Sequence, residues 1–534
     1  IYTIGFNASS ALVNLSQIPL FVAPFLGGKH GYVKTYAAIK SAYGNTLLGG
    51  KRGGGTNSIL DFYDISDKGN FTLKKGLKLP EGKDVELRNM EALVQTASQR
   101  GLLGQGFLAE AMGLNEASRI KKSGTVGNAM DNASVLSAWL FNHAEQLNRQ
   151  VTLMASFNLA LDSITKGKVN NPSAAQIEEA VQMAIYDTQQ TNGGTFLETA
   201  PSIAREGIGR VAFMYKSYGL QMYYTMLKTA KTAFDSDKGK LFGPDGSPER
   251  KAAWKQLIGL HGSALFFAGV QGLPLYGAVK LIANLFFLDD EEEDWDTIVR
   301  QHIGEGWYKG AITQFAGIDV ASRMALTGLL IQENRFNNDP SLEETIGFYA
   351  GGPALSVANR LYRGGSDLLS SEGDIERGIE NILPAGVANA YKATFGRYAD
   401  QGGIYTRRND PIYDDMTGGE LVAQAFGFPP TEYTFRQEQN GISKRIDIAV
   451  GKRRSALHKK LYVAQTMGDF SAEMEIYDEI DKFNARHPEA EINTKSIERS
   501  LKQHAKTSEE MYNGVTLSPL YRDALEMIRE GYKQ

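Results

Sequence analysis

Apolar residues recur along most of the chain at intervals of three or four positions, which is the spacing of one face of an α-helix. This pattern predicts helices almost throughout residues 84–235. Ser173 and Gln176 have the spacing of a capping box, the polar pair that begins a helix. The one strand signal is a weak alternation of apolar positions at Phe71, Leu73, Leu77 and Leu79. The chain is therefore predicted to be mainly α, an elongated multi-domain protein with helical hairpins and little or no β-structure.

A long uncharged stretch runs from Leu257 to Val279, and after Lys280 the apolar residues continue as far as an acidic run at 289–296. A membrane-spanning helix needs about 20 predominantly apolar residues, so the stretch is long enough. Glycines and Pro274 divide it into shorter pieces, however, which predicts a helical hairpin. The residues predicted to form this membrane or assembly hairpin are Leu257, Leu265, Phe266, Phe267, Val270, Leu273, Pro274, Leu275, Val279, Leu281, Phe286 and Phe287.

Three interpretations of this apolar stretch, Leu257–Val279, remain open. It fits a hairpin buried in a large soluble fold, a hairpin that inserts into a membrane under certain conditions, and an oligomer interface built on close packing of small residues. The acidic run behind it fits a solvated helix cap or loop, and the same charges resist crossing a bilayer.

The last third of the chain predicts a second hairpin. One helical face is formed by Ile442, Ile446, Ala449, Val450, Leu457, Leu461 and Ala464. Gly468 is expected to end this helix, and Ile476, Ile480 and Phe483 mark the helix that returns.

The first helix of this C-terminal hairpin is rich in basic residues. This basic segment comprises Lys444, Arg445, Lys452, Arg453, Arg454, Lys459 and Lys460. Arg453 and Lys460 fall within the apolar face, which indicates a kink at Gly451 or a polar partner on the facing helix. A solvated surface and a contact with DNA or anionic lipid both fit the basic segment.

Glycine and proline clusters predict where helices end and domains divide. The cluster Gly49–Gly55 is expected to form a loop, Gly351 to Pro353 to stop a helix, and Gly402–Asp415 to be a domain boundary. The Met- and aromatic-rich run Val211–Leu227 is expected to be core. The predicted segments are 1–60 (uncharged, then basic), 61–241 (helical domain), 250–335 (apolar hairpin, acidic linker and following helices), 336–400 (helical) and 401–534 (C-terminal hairpin domain).

Composition narrows the function classes. The 534 residues include 57 glycines but only 16 prolines, which predicts many helix breaks and close helix contacts rather than a linker. With no cysteine, disulfides, thiolate metal sites and cysteine nucleophiles are excluded. The net charge of −4 argues against a dedicated nucleic-acid-binding protein.

The sequence shows no catalytic constellation. None of the seven histidines has a metal-binding or catalytic spacing. The glycine-rich segment at 49–55 lacks the lysine and hydroxyl ending of a phosphate-binding loop. Adjacent carboxylates such as Asp414 and Asp415 do not select a catalytic pair. We therefore predict no catalytic residue, no metal site and no cofactor.

Two patches resemble one protein family. Phe6–Gly31 (FNASSALVNLSQIPLFVAPFLGGKHG) is similar to the signature region of PLxRFG-type large proteins encoded by short-tailed phages, although it ends in Lys-His-Gly rather than Arg-Phe-Gly. Asp410–Phe428, with its DPI, GE and QAFGF groups, is similar to a block near the C-termini of those proteins. The basic helix and the Phe483–Pro488 segment look similar too, so the resemblance covers most of the chain.

The resemblance implies a structural internal virion protein, carried in the capsid or portal core and ejected with the genome across the host envelope. The partners it implies are further copies of the chain (a homo-oligomer), other core, portal or tail proteins, genomic DNA and, after ejection, the host membrane. No catalytic residue is carried over from the family, and any enzyme domain is expected upstream of Ile1. The alternatives are a helical lytic or nuclease domain using carboxylates, and a membrane-binding module without an assembly role.

Overall fold

The computed structural model describes residues 7–52, 58–66, 70–103, 125–192, 217–240, 246–286, 295–326, 342–370, 373–406 and 408–512. Within these ranges the chain is mainly α-helical, which confirms the predicted fold class. The β-structure of the same residues consists of two antiparallel two-stranded sheets.

Helices dominate the first half of the chain. In order, its elements are α1 Ala8–Leu15, a π-helical turn Ile18–Val22, α2 Ala23–His30, α3 Tyr32–Arg52, β1 Tyr63–Ile65, β2 Phe71–Leu73, α4 Lys83–Asn89, α5 Glu91–Gln99, α6 Thr125–Ile164, α7 Ala174–Asn192 and α8 Ser217–Phe234.

The second half of the chain is also mainly helical. Its elements are α9 Pro248–Ala268, α10 Tyr276–Phe286, α11 Trp295–Ile303, α12 Glu305–Lys309, α13 Ala311–Ala316, α14 Ala321–Met324, α15 Leu342–Leu369, α16 Ile375–Ile382, α17 Ala385–Thr394, α18 Arg397–Asp400, β3 Ile404–Tyr405, β4 Pro411–Tyr413, α19 Gly418–Ala425, α20 Thr431–Met467, α21 Phe470–Arg486 and α22 Thr494–Tyr512.

The chain forms two compact units. The first comprises residues within 1–281, 299–336 and 340–437, and the second those within 282–298, 337–339 and 438–534. The division therefore falls inside α20. The boundary predicted from sequence at 401 does not coincide with it, because residues 401–437 group with the first unit.

The central helix of the first unit is α6. Its residues 148–161 are buried apart from the half-buried Asn158, because α1, α3 and α7 pack around it. Val151, Met154 and Phe157 lie in the same core as Ile39 of α3. The predicted capping box before α7 is confirmed: the backbone N–H of Ser173 donates to Gln176 Oε1 at 2.9 Å, and that of Gln176 donates to Ser173 Oγ at 3.3 Å.

The second unit contains the predicted C-terminal hairpin. Val450, Leu457, Leu461 and Ala464 of α20 pack against Ile476, Ile480 and Phe483 of α21. As predicted, Gly468 ends α20. Its φ of +69° is a left-handed conformation that glycine adopts without steric cost. Asp469 then caps α21 by accepting a hydrogen bond from the backbone N–H of Ala472.

Two predicted helix ends are wrong. Helix α15 continues through Gly351, Gly352 and Pro353, and α3 continues through Gly49 and Gly50 to Arg52. Glycine lowers helix propensity by about 1 kcal/mol and an interior proline removes one hydrogen bond, but neither forbids a helix. Glycine clusters therefore do not fix helix ends by themselves. The remainder of the predicted loop, 53–55, lies outside the described residues.

The segment expected to be a domain boundary, Gly402–Asp415, instead holds the second sheet. Strands β3 and β4 pair with Ile404 opposite Tyr413. Met416 and Ile404 are buried beside Tyr398, so this hairpin has its own small core. Its strands are too short to show a period of two in the sequence, and a turn-rich composition fits a tight hairpin as well as a linker.

Candidate functional site

The apolar stretch Leu257–Val279 is interrupted where its glycines predicted. Helix α9 ends at Gly269, whose φ is +67°. A β-carbon at Gly269 would collide with the backbone of Tyr308 and Gly310, so both the dihedral angle and the space require glycine. Leu275 also adopts a positive φ, of 65°, directly before α10 begins.

Helix α9 packs mainly against α2, α8 and α13. Gly28 of α2 approaches α9 so closely that a β-carbon would collide with the side chain of Gln256. Gln256 Nε2 donates to the Phe25 carbonyl at 2.8 Å. The flank of α9 is therefore occupied by α2.

The predicted hairpin residues are only partly covered. Half-buried side chains are Leu257, Leu265, Phe267, Val270, Leu273 and Pro274. Exposed side chains are Phe266, Leu275 and Val279. The side chains of Leu281 and Phe286, all of Phe287, and the acidic residues 289–294 lie outside the described part of the chain. The apolar stretch is thus neither a single spanning helix nor fully buried core.

One helical stretch among the described residues, Ala8–His30, has the length and composition to cross a membrane. It is 23 residues long, and its most apolar 18-residue window has a mean hydropathy of 1.4 and is 72% buried inside the fold. A core helix of a soluble protein has the same properties, so this stretch alone does not indicate membrane insertion.

The C-terminal end of Ala8–His30 is held by an ion pair between the partly exposed Lys29 and the buried Asp187. Lys29 Nζ donates to Asp187 Oδ1 on α7, and Ser156 Oγ on α6 donates to the other oxygen of Asp187 at 2.8 Å. The Asp187 side chain is 2% exposed. Lys29 also lies over the Phe25 ring, 4.3 Å from its centre. No local pattern in the sequence predicts this ion pair, because Asp187 lies 158 positions away from Lys29.

The chain segments 7–31 and 410–428 contact each other. The backbone N–H of Ser9, near the start of α1, donates to the carbonyl of Phe426, the residue that ends α19, at 2.9 Å. Gly427 follows with a φ of +93°, and a β-carbon there would lie 2.7 Å from Ser9 Oγ. Segments more than 400 positions apart in the sequence are therefore adjacent in the first unit.

The residues of the basic segment of α20 differ in their contacts. Arg453 and Lys460 reach Glu479 of α21, at 3.5 and 3.0 Å, which is the polar partner that their place in the apolar face predicted. Arg454 Nη2 donates to the Glu491 carbonyl at 3.2 Å. Helix α20 continues through Gly451. Lys444, Lys452 and Lys459 are exposed and Arg445 is half-buried, so the segment is not one uniform basic surface.

Glu86 in the first unit is a carboxylate held by several hydrogen bonds. Burial alone would raise its pKa, but hydrogen bonds from Lys83, Asn158 and Asn45 and the charge of Lys83 hold the pKa below its usual value. Lys83 Nζ lies 2.6 Å from Glu86 Oε2, and Asn158 Nδ2 lies 2.8 Å from Oε1. This arrangement stabilises the ionised form and ties α4 to α6.

The described residues offer little space for a small ligand. An open cavity of about 20 Å³ lies between Phe21, Met226 and Leu260, and its lining is apolar apart from threonine and glutamine side chains. No group of three or more histidine, aspartate and glutamate side chains in the described residues has the geometry to hold a metal ion. Asp414 and Asp415 are exposed in the loop after β4.

Comparison of the chain with models of known protein families, with curated proteins and with solved structures finds no match.

Proposed function

We propose that the chain is a structural internal protein of a tailed-phage virion, held in the capsid or portal core and delivered with the genome across the host envelope. Its proposed partners are further copies of itself and other core, portal or tail proteins. Genomic DNA and, after ejection, the host membrane are further proposed contacts.

The observation that carries this proposal is the bond between Ser9 and Phe426. The sequence features that resemble internal virion proteins lie in two distant patches, Phe6–Gly31 and Asp410–Phe428. Chance similarity gives no reason for such patches to touch. Their adjacency supports treating them as one structural feature.

The contact also has a physical rationale within the fold. Ser9 lies in the first turn of α1, where backbone N–H groups lack partners inside the helix, and Phe426 caps the end of α19, where carbonyl groups lack them. Each helix end satisfies the other. The positive end of one helix dipole meets the negative end of another, which adds a favourable electrostatic interaction.

Quantitative mass spectrometry of purified particles tests the proposal. In virions of the phage that encodes the chain, we expect the chain in DNA-filled particles and its depletion, relative to the coat protein, in particles that have ejected their DNA. The coat protein of the same particles is the internal control. Absence of the chain from filled particles overturns the proposal, and its equal retention in emptied particles overturns the delivery role.

A further inference from the structure

Helix α8 leaves an apolar stripe in contact with solvent. Leu220, Tyr224, Leu227 and Phe234 recur at helical spacing on its outer face, and Tyr224, Leu227 and Phe234 are 61%, 60% and 66% exposed. The opposite face, with Met222, Tyr223 and Met226, is buried in the core. The sequence expectation that the whole run to Leu227 is core is therefore wrong, because α8 packs on α7 and α9 through one side only.

Helix α9 carries a second exposed stripe of the same kind. Ile258, Gly262 and Phe266 are spaced four residues apart on its outer face, and Ile258 and Phe266 are 65% and 55% exposed. The two helices pack together through Met226 and Leu260. Phe234 lies edge-on against Trp254, with the ring centres 4.8 Å apart. The C-terminal end of α8 thus meets the N-terminal part of α9.

Lysines lie along and beside both stripes. Exposed lysines stand at Lys228 and Lys231 of α8 and at Lys255 of α9. The two helices together contain five basic residues and a single acid, Glu249, which pairs with Lys238 at 2.9 Å. Lys228 Nζ lies 3.0 Å from the Tyr186 hydroxyl, and this hydrogen bond raises the pKa of Lys228, so it stays charged.

We infer that the outer faces of α8 and α9 form a docking surface for an anionic lipid membrane. Such a surface accepts aliphatic and aromatic side chains at the boundary between headgroups and acyl chains, and its phosphates attract lysines at the rim. Tyr224 has the apolar ring and polar tip that favour this boundary. The surface differs from the predicted hairpin, sharing only Phe266 with it, and the inference does not rest on the proposed virion role.

Charge argues against a second copy of the chain as the occupant. A two-fold symmetric interface places the same patch against itself, so Lys228, Lys231 and Lys255 would face the same lysines. Like charges at such an interface repel each other. An anionic bilayer supplies the opposite charge and an apolar interior together.

Vesicle flotation of the purified full chain tests the docking surface. We expect binding to vesicles of equal parts phosphatidylcholine and phosphatidylglycerol to be at least about tenfold stronger than to phosphatidylcholine alone, and to weaken as salt is added. Equal binding to both vesicles, or no binding to either, overturns the inference.

Matched variants locate the surface. Tyr224→Ser/Leu227→Ser and Lys231→Glu/Lys255→Glu should each lower the partition coefficient by at least about tenfold. Phe395→Ser removes an apolar side chain that is 86% exposed on a different element, and it should leave binding unchanged. Circular dichroism checks that each variant stays folded. Wild-type binding by both double variants contradicts the inference.

The absence of cysteine permits a second, site-specific readout. Leu227→Cys and Phe395→Cys each introduce a single thiol for an environment-sensitive fluorophore. The label at 227 should shift to shorter wavelength on the anionic vesicles and be quenched by lipid-borne quenchers, whereas the label at 395 should not respond. Sedimentation without lipid tests whether a second copy of the chain occupies the surface instead. Self-association of the wild type that Tyr224→Ser/Leu227→Ser abolishes, with no response of the label at 227, assigns the face to a second copy and overturns the inference.

Discussion

The backbone N–H of Ser9 and the carbonyl of Phe426 form a hydrogen bond of 2.9 Å between the beginning of one helix and the end of another. Asn7 completes this junction, because its side-chain oxygen accepts hydrogen bonds from Ser9 Oγ and from the backbone N–H of Ser10. Gly427 allows the close approach. The junction therefore depends on a residue without a side chain, which makes it open to a direct test.

Replacing Gly427 with alanine should destabilise the first unit by about 2 kcal/mol or more. The φ of +93° costs about 1 kcal/mol for a residue with a β-carbon, and the collision with Ser9 Oγ adds to it. Gly402→Ala is the matched control, since Gly402 has a φ of +65° but no atom within 4 Å of the added carbon. Chemical denaturation of both variants measures the difference. Equal losses for the two would show that the junction imposes no steric demand.

Removing the carboxylate of Asp187 should cost about 1–3 kcal/mol of unfolding free energy. Asp187→Ala leaves the buried Ser156 hydroxyl and the partly exposed Lys29 ammonium without their partner. Asp162→Ala breaks the ion pair of Lys34, whose side chain is 66% exposed, and should cost at most about 1 kcal/mol. Urea denaturation gives both values. A small loss for Asp187→Ala would mean that Lys29 turns to solvent and that the ion pair does not hold α2.

Lys392→Met should stabilise the protein at neutral pH by about 1–3 kcal/mol. Burial, together with the charges of Arg360, Arg397 and Arg323, lowers the pKa of Lys392 to about 8 from its ordinary 10.5, although Glu380 acts in the opposite direction. The charged ammonium is thus unfavourable in the folded state, and methionine has a similar shape without the charge.

The pH dependence of this gain follows from the same shift. Below about pH 8, Lys392 is charged in both states and the folded state bears the full cost. Between about 8 and 10.5 the folded state releases its proton first, so wild-type stability rises and the advantage of Lys392→Met shrinks. Thermal melts from pH 7 to 10 measure this, with the exposed Lys459→Met as control. A gain that does not change with pH would assign the effect to packing.

The basic segment should give weak, salt-sensitive DNA association through its exposed lysines. Lys444→Glu/Lys459→Glu should weaken binding and reduce the slope of log K against log salt by roughly 2, about 0.9 for each phosphate contact. Glu479→Gln releases Arg453 and Lys460 from their carboxylate and should strengthen binding. Fluorescence anisotropy with duplex DNA at several salt concentrations measures both. Binding that the charge reversal does not change would mean that the basic segment of α20 is a solvated surface and does not contact DNA.

The C-terminal hairpin was predictable because the residues that indicate it lie close together in the sequence. The apolar spacing of Leu457 and Leu461, the glycine at 468 and the spacing of Ile476 and Ile480 all lie within one short segment. The break at Gly269 is local too. The packing of α2 on the flank of α9 is not, because Gly28 and Gln256 are far apart in the sequence.

The features that organise the site depend on distant residues. No periodicity connects Lys29 with Asp187 or Ser9 with Phe426, since only the folded chain brings them together. The exposed stripe of α8 was missed for a related reason. Leu227 and Met226 look alike in the sequence, and their burial is decided by which side of α8 receives its neighbours.

The junction at Ser9 also sets an order of events during synthesis. The N–H of Ser9 leaves the ribosome early, whereas the carbonyl that receives it arrives only when Phe426 has been translated. At about 5–20 residues per second, the nascent apolar segment Ala8–His30 waits roughly 20 to 80 seconds for the last of its neighbours. Until α6 and α9 have emerged, its side chains are available to chaperones, so biosynthesis of this protein demands protection of the segment Ala8–His30 while the rest of the first unit is translated.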